Sequence, residues 1–258
     1  MPKKMVRAAA IQLKPIEASA EKTIEHSVTL VERAARIEPD IVCLPEHWLP
    51  EKQIPSPVNP ISRLQSVAKE HGIAIVGGAF YEKVKGITRL SSPVIRSDGE
   101  LAGRQFKAHL FRFERKFAKA GNAYNIFQLN RYKIGVLVCY DVDFPEPSRI
   151  YSLGGAELIL CPSRIVKTGI VPWSQYVTVR CLENRMPIVA PNVYSLPWFT
   201  GHSMIISLRE DPRTKISHPK IATTSREGEA IIFQDIDLAL HNRLRKERFA
   251  DRRPSTYN

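Results

Sequence analysis

Apolar residues along this chain recur with two periods, and over the first half the two alternate. Val6–Leu13 is a short apolar run of the kind that forms a buried strand. In Thr23–Arg36, residues Ile24, Val28, Val31, Ala34 and Ala35 fall on one face at helical spacing, and Ser19 or Thr23 can cap the helix. Ile41–Leu44 is a second strand, stopped by Pro45. A proline-bearing loop, Pro50–Pro60, leads to a helix over Ile61–His71 that ends at Gly72. Strands follow at Ile73–Tyr81 and Leu90–Arg96, and Ser97-Asp98-Gly99 turns the latter into Leu101–Phe106. Next come a hairpin of Phe127–Leu129 with Lys133–Cys139 (tip at Asn130-Arg131), a short helix Pro147–Leu153 and a strand Glu157–Leu160. A helix Trp173–Asn184 and a strand Pro187–Pro191 come after them. The last part reads as His202–Leu208, a turn over Asp211–His218, strands near Ile221–Thr224 and Ala230–Asp235, and a basic terminal helix. Helix–strand alternation followed by hairpins predicts an α/β fold with two layers of sheet and helices outside them.

The most informative stretch is Lys133–Ser148, KIGVLVCYDVDFPEPS. Its β-branched run stops at Cys139, and Asp141, Asp143, Pro145 and Pro147 prevent a regular strand beyond it. Most free cysteines are small hydrophobes filling such a place. A nucleophilic thiol needs more: a base, a cation that favours thiolate, and donors for an oxyanion. Two other strand ends stop on suitable groups. Glu46 follows the apolar run and Pro in IVCLPEHW, and Lys107 follows a strand turn in GRQFKAHLF, with Glu114 seven residues on.

The set Glu46, Lys107, Cys139 resembles the catalytic triad of the nitrilase superfamily, the carbon–nitrogen hydrolases. The motifs LPEHW, GRQFKAHLF and GVLVCYDVDFPEPSR carry the likeness, and it continues through GAELILCPS, RCLENRMPIVAPN, GHSMI and DRRPSTY, so it covers nearly the whole chain. The resemblance implies one carbon–nitrogen hydrolase domain over residues 1–258, folded as a four-layer α-β-β-α sandwich. It implies pairing into a homodimer or larger homo-oligomer, with the basic tail at 236–258 at a subunit interface. It casts Cys139 as nucleophile, Glu46 as general base, and Lys107, with the Tyr140 N–H, as oxyanion stabiliser. Glu114 would orient Lys107. Asp141 and Glu146 would be structural, Asp141 bonding backbone in the turn and Glu146 sitting at a helix start. Arg164 could clamp a substrate carboxylate or lie on the surface, and Tyr140, Trp173 and Asn192 would shape the pocket. The implied reaction is hydrolysis of a non-peptide C–N bond in a small linear amide or N-carbamoyl compound through a thioester. Tyr140-Asp141 stands where true nitrilases tend to carry Trp-Glu, which turns the reading from nitrile toward amide. A nitrilase, or a silent binding protein on the same fold, is the alternative.

Composition narrows the partners. The net charge is +12, which favours anions, but the basic residues are dispersed except for His241–Arg253, and no nucleic-acid-binding signature accompanies them. Nucleic acid is therefore not an expected partner. No apolar run reaches the length of a membrane span, and AAAIQL near the N-terminus is too short for a signal peptide, so a cytoplasmic protein is expected. The four cysteines form no CxxC pair and the histidines show no ligand spacing, so no metal, cofactor or disulfide framework is expected. Three segments depart from the family pattern. The stretch after Glu46 is short and proline-rich, the Lys107 strand lacks a preceding Asn-Gly, and REDPRTKISHPK replaces a Pro-x-Gly turn. The resemblance places such loops at the pocket border.

Overall fold

Alternate residues of the central strands face opposite ways, and this builds the layers. A computed structural model describes residues 4–16, 19–49, 59–224 and 227–256. In Met5–Gln12, Ala8 and Ala10 join a core between two sheets, whereas Ala9 and Ile11 pack beneath α1 (Ala20–Ala35) and α2 (Pro60–His71). The other sheet mirrors this. Leu158 and Leu160 face the first sheet; Ile159 and Cys161 face α3 (Pro145–Leu153) and α4 (Ile170–Asn184). The result is the expected α-β-β-α sandwich, with one apolar core between the sheets and one under each helical layer.

The first sheet runs, in spatial order, Ala230–Asp237, Met5–Gln12, Ile41–Cys43, Ala74–Val76, Ile87–Ile95 and Phe80–Val84, with Leu101–Phe106 also paired to Ile87–Ile95. The second runs Ser217–Thr223, Met204–Glu210, Ile188–Ala190, Leu158–Leu160, Tyr132–Val136 and Phe127–Leu129. Each has a parallel centre joined by helical crossovers and antiparallel flanks. The helix ends follow their sequence signals. Ser19 accepts from the Lys22 N–H, Asn59 caps α2 with Pro60 in its first turn, and Gly72 closes α2 in the left-handed region. Glu146 lies in the first turn of α3 as expected.

Several expected boundaries move. The run Ile73–Tyr81 divides into Ala74–Val76 and Phe80–Val84, because Gly77-Gly78 breaks it. Gly78 has φ +70°, and a Cβ there would lie 2.1 Å from the Pro45 carbonyl oxygen and 2.7 Å from the Trp48 ring. The strand expected to reach Cys139 stops pairing at Val136, and residues Cys139–Asp143 form a 3-10 turn. The turn expected over Asp211–His218 is shorter, since Ser217 already pairs with Glu210. Most of the Pro50–Pro60 loop, residues 50–58, lies outside the described residues.

The terminal helix α5 (Leu238–Ala250) docks on its own chain: Leu238, His241 and Leu244 are buried, and Nε2 of His241 accepts from the Leu208 N–H. Its charge is partly neutralised, with Arg243 held by Glu210 and Glu247. Among the described residues no helix is long and apolar enough to cross a membrane.

Gly78→Ala combines a forbidden φ with a collision against backbone, whereas Gly86, at φ +80°, has open space around its Cβ position. Gly86→Ala is expected to cost about 1 kcal/mol and Gly78→Ala at least twice that, read as a lower urea midpoint with unchanged slope. Equal losses would mean that the close approach at Gly78 carries no energetic weight.

Candidate active site

Three strand ends meet on one rim. The segment after Ile41–Cys43 bridges the sheets, because the Glu46 N–H donates to Ser163 O (3.2 Å) and the His47 N–H to Ala79 O (2.6 Å). Cys139 is tied to the same place, its N–H donating to Pro162 O at 2.8 Å. Two adjacent carbonyls, of Pro162 and Ser163, thus hold the backbones of Cys139 and Glu46 side by side. Lys107 enters from the end of Leu101–Phe106, fixed by its N–H to Leu90 O (2.9 Å) and by the Gly121 N–H to its own carbonyl (2.8 Å).

The side chains converge. Nζ of Lys107 donates to Oε1 of Glu46 at 2.7 Å and to Oε1 of Glu114 at 2.8 Å. The exposures are 2% for Glu46, 1% for Lys107, 2% for Glu114 and 8% for Cys139, so the charges are buried and only the sulfur has an edge toward solvent. Oε2 of Glu114 accepts from the Phe111 N–H at 2.6 Å, and Nε2 of His47 lies 3.2 Å from Oε1. Donor atoms of Glu46, His47 and Glu114 cluster closely enough to suit a metal ion. The Lys107 ammonium already stands between both carboxylates, however, and supplies the positive charge that such an ion would.

Burial pushes the Cys139 thiol well above its ordinary range, and the Glu46 carboxylate adds to the shift. Lys107 and the Arg164 N–H act against it. Burial also works against the charged form of Lys107, but Glu46, Cys139 and Glu114 outweigh it and raise the ammonium above its ordinary range. Burial opposes ionisation of Glu114 too, and His47 and Lys107 overcome it, leaving that carboxyl below its usual range. The arrangement is a resting thiol beside a carboxylate and a permanent cation.

Cys139 adopts φ +48°, in the left-handed region that a β-substituted residue enters at a cost of about 1–3 kcal/mol. Asp141 over-determines that turn. It is fully buried, its Oδ2 accepts from the Val138 N–H at 3.0 Å, and its Oδ1 accepts from the His109 N–H at 2.8 Å. The expected backbone role of Asp141 is thus present, with a further tie to the Lys107 segment.

A cavity of about 360 Å³ opens onto the sulfur. Tyr140, Arg164 and Trp173 line it as expected, together with residues the sequence did not single out: Phe111, Phe113, Tyr176, Phe199 and Asp143. The Arg164 guanidinium lies 4.4 Å from the Phe199 ring centroid. Asn192 does not line the cavity. It is fully buried behind the wall, where Oδ1 accepts from Ile165 N–H and Nδ2 donates to Gly201 O. The departing segment at 209–220 contributes nothing to the lining and forms the far end of a hairpin. His47 was missed because a lone histidine on an apolar strand end reads as core. Its adjacency to Glu46 was the available signal.

A family model described as carbon-nitrogen hydrolase matches residues 7–246. The chain belongs to the carbon–nitrogen hydrolase family. Among its relatives, a "probable nitrilase" of Schizosaccharomyces pombe is 35% identical over 75% of this chain and 71% of its own length. An "omega-amidase NIT2" of Xenopus tropicalis is 29% identical over 88% of this chain and 87% of its own length. The fold agrees with a carbon-nitrogen hydrolase from Helicobacter pylori at a TM-score of 0.84, 23% identity, 98% coverage of this chain and 97% of that one.

Removing the central cation of this family site has a calculable consequence. Lys107→Met leaves two buried carboxylates facing each other and is expected to cost about 3–5 kcal/mol, measured by urea unfolding at pH 7. The sign of the pH effect follows from the shifts. Glu114, lowered from 4.5, stabilises above that value and loses its contribution as pH falls through its folded value; Lys107, raised from 10.5, stabilises below that value and loses its contribution as pH rises through its folded value. Glu114→Gln is therefore expected to flatten the acid limb of the stability–pH curve. An unchanged limb would remove Glu114 from the account.

Proposed function

We propose that this carbon–nitrogen hydrolase cleaves the C–N bond of a small linear amide or N-carbamoyl compound, with Cys139 as nucleophile, Glu46 as general base, Lys107 as oxyanion stabiliser and Glu114 as the residue that orients Lys107. The observation that carries the reading is the Lys107 ammonium, bonded at 2.7 and 2.8 Å to two buried carboxylates beside a thiol that opens on a cavity. Because Cys139 rests as a thiol, Glu46 must take its proton as sulfur bonds to the carbonyl carbon. The carbonyl electron pair moves to oxygen, where Lys107 and the Tyr140 N–H stabilise it, a donor of this kind being worth about 3–4 kcal/mol. As the tetrahedral centre collapses, the C–N bond breaks and Glu46 returns the proton to the leaving ammonia or amine. Glu46 then takes a proton from water as its oxygen attacks the thioester, and the thiol and a carboxylic acid are released.

The relatives named omega-amidase support an amide over a nitrile, as does Tyr140-Asp141 after the cysteine. We further infer that copies pair through α3 and α4, where Ile150, Leu153, Val171 and Val179 are each about half exposed, an apolar face that two copies would cover together.

The test is ammonia release from aliphatic amides, ω-amides of dicarboxylic acids, N-carbamoyl amino acids and nitriles. Turnover on an amide or carbamoyl substrate is expected, reduced at least about a thousandfold in Cys139→Ala with the fold retained by circular dichroism. Turnover of nitriles alone would replace the amide reading. Silence on every substrate, with Cys139 resisting a thiol-reactive probe, would favour a binding protein.

A further inference from the structure

Among the described residues of the cavity lining, carboxylates outnumber the lysine and arginine side chains. Glu46 and Glu114 both bond Lys107, which leaves Asp143 as a third carboxylate on the lining. Among the described residues, no hydrogen bond or ion pair reaches the Asp143 side chain. Arg180 lies close, but its guanidinium donates to the backbone carbonyls of Val142 and Asp143 and to the Glu183 carboxylate. Arg164, the other cation on the lining, lies over the Phe199 ring. Among the described lining residues, and with the thiol neutral, three carboxylates stand beside the lysine and arginine cations Lys107 and Arg164.

The rest of the wall suits a positive charge. Phe111, Tyr140, Trp173, Tyr176 and Phe199 present aromatic surface, whose negative faces attract an ammonium. Asp143 ends the 3-10 turn that Cys139 begins, so at about 2 Å per residue the two are roughly 8 Å apart along the turn. A substrate whose carbonyl carbon sits on the sulfur would reach Asp143 with a chain of about three or four carbons, each adding roughly 1.25 Å when extended. Burial holds the Asp143 carboxyl above its ordinary range, though Arg180 and Lys107 work against this, and an arriving ammonium would offset the penalty that burial places on the carboxylate.

We propose that the pocket takes an amide or carbamoyl compound whose chain ends in a cationic amine, and that Asp143 is the residue that binds the amine. This deepens the hydrolase reading and rests on it for where the carbonyl sits.

Three four-carbon substrates separate the possibilities: cationic γ-aminobutyramide, neutral butyramide and anionic succinamate. For the wild type, kcat/KM for γ-aminobutyramide is expected to exceed that for butyramide at least tenfold, with succinamate poorest. Asp143→Asn should bring the amine-to-neutral ratio close to one, and Asp143→Glu should restore part of it, which a merely structural role would not do. Binding of the same compounds to Cys139→Ala, followed by calorimetry, reads selectivity without turnover. Amine binding lost in the Cys139→Ala/Asp143→Asn double variant supports the assignment even if the hydrolase reading fails. A wild-type preference for succinamate, or an amine-to-neutral ratio unmoved by Asp143→Asn, overturns it.

Discussion

An ammonium taken out of water costs several kcal/mol unless opposite charge and hydrogen bonds replace its hydration, and the site is organised around meeting that cost at Lys107. Two carboxylates, Glu46 and Glu114, replace the lost water. Each of them needs donors of its own. The Phe111 N–H bonds the free oxygen of Glu114, and His47 approaches the oxygen that Lys107 shares. A single cation thus ties the Glu46–His47 segment to the stretch from Lys107 to Glu114. In the proposed mechanism the same cation must remain charged to stabilise an oxyanion, and the surrounding carboxylates favour its charged form.

The backbone solves a second problem, which is to hold Cys139 and Glu46, the proposed nucleophile and base, at fixed separation although they follow strands of different sheets. Cys139 follows a strand of the second sheet and Glu46 one of the first. Both are hydrogen-bonded to the Pro162–Ser163 segment. The relative position of thiol and carboxylate therefore depends on one dipeptide rather than on how the sheets pack overall. The strained φ of Cys139 fits this arrangement, since Asp141 grips the turn from below and lifts the thiol toward the cavity.

Much of this was legible in the sequence, for an identifiable reason. Strands and helices with a strong period were located closely, Met5–Gln12 to within one residue and α1 to within three, because burial on one face leaves a periodic trace. The convergence of Glu46, Lys107 and Cys139 was visible because each stands at a strand end, and the family likeness joined them. What failed were features set by close approach in three dimensions. Gly78 breaks a strand because Trp48 and Pro45 crowd it from another segment, and no local pattern announces that. Asn192 was assigned to the wall, whereas its amide is consumed in supporting the wall from behind. Phe111, Tyr176 and Phe199 come from unrelated elements, so only the folded chain shows that they line one cavity.

The support behind that wall explains why so polar a cluster is tolerated in the interior. Gln12 accepts from Ser203 N–H, Ser203 Oγ and Thr224 Oγ1, and donates to Gly228 O; Ser203 Oγ in turn accepts from Asn192 N–H, and Asn192 holds Ile165. Every step replaces a lost water contact, so the network is not penalised as isolated polar groups would be. It also runs without interruption from a central strand of the first sheet to the segment bearing Arg164. That side of the cavity is consequently fixed to the sheets. The opposite side, with Phe111 and Phe113 each more than a third exposed, is anchored chiefly through the Glu114 carboxylate. Since Glu114 is held by Lys107, the exposed aromatic wall is positioned by the same cation that organises the chemistry. In the proposed mechanism, one buried charge therefore serves both the oxyanion and this side of the pocket wall.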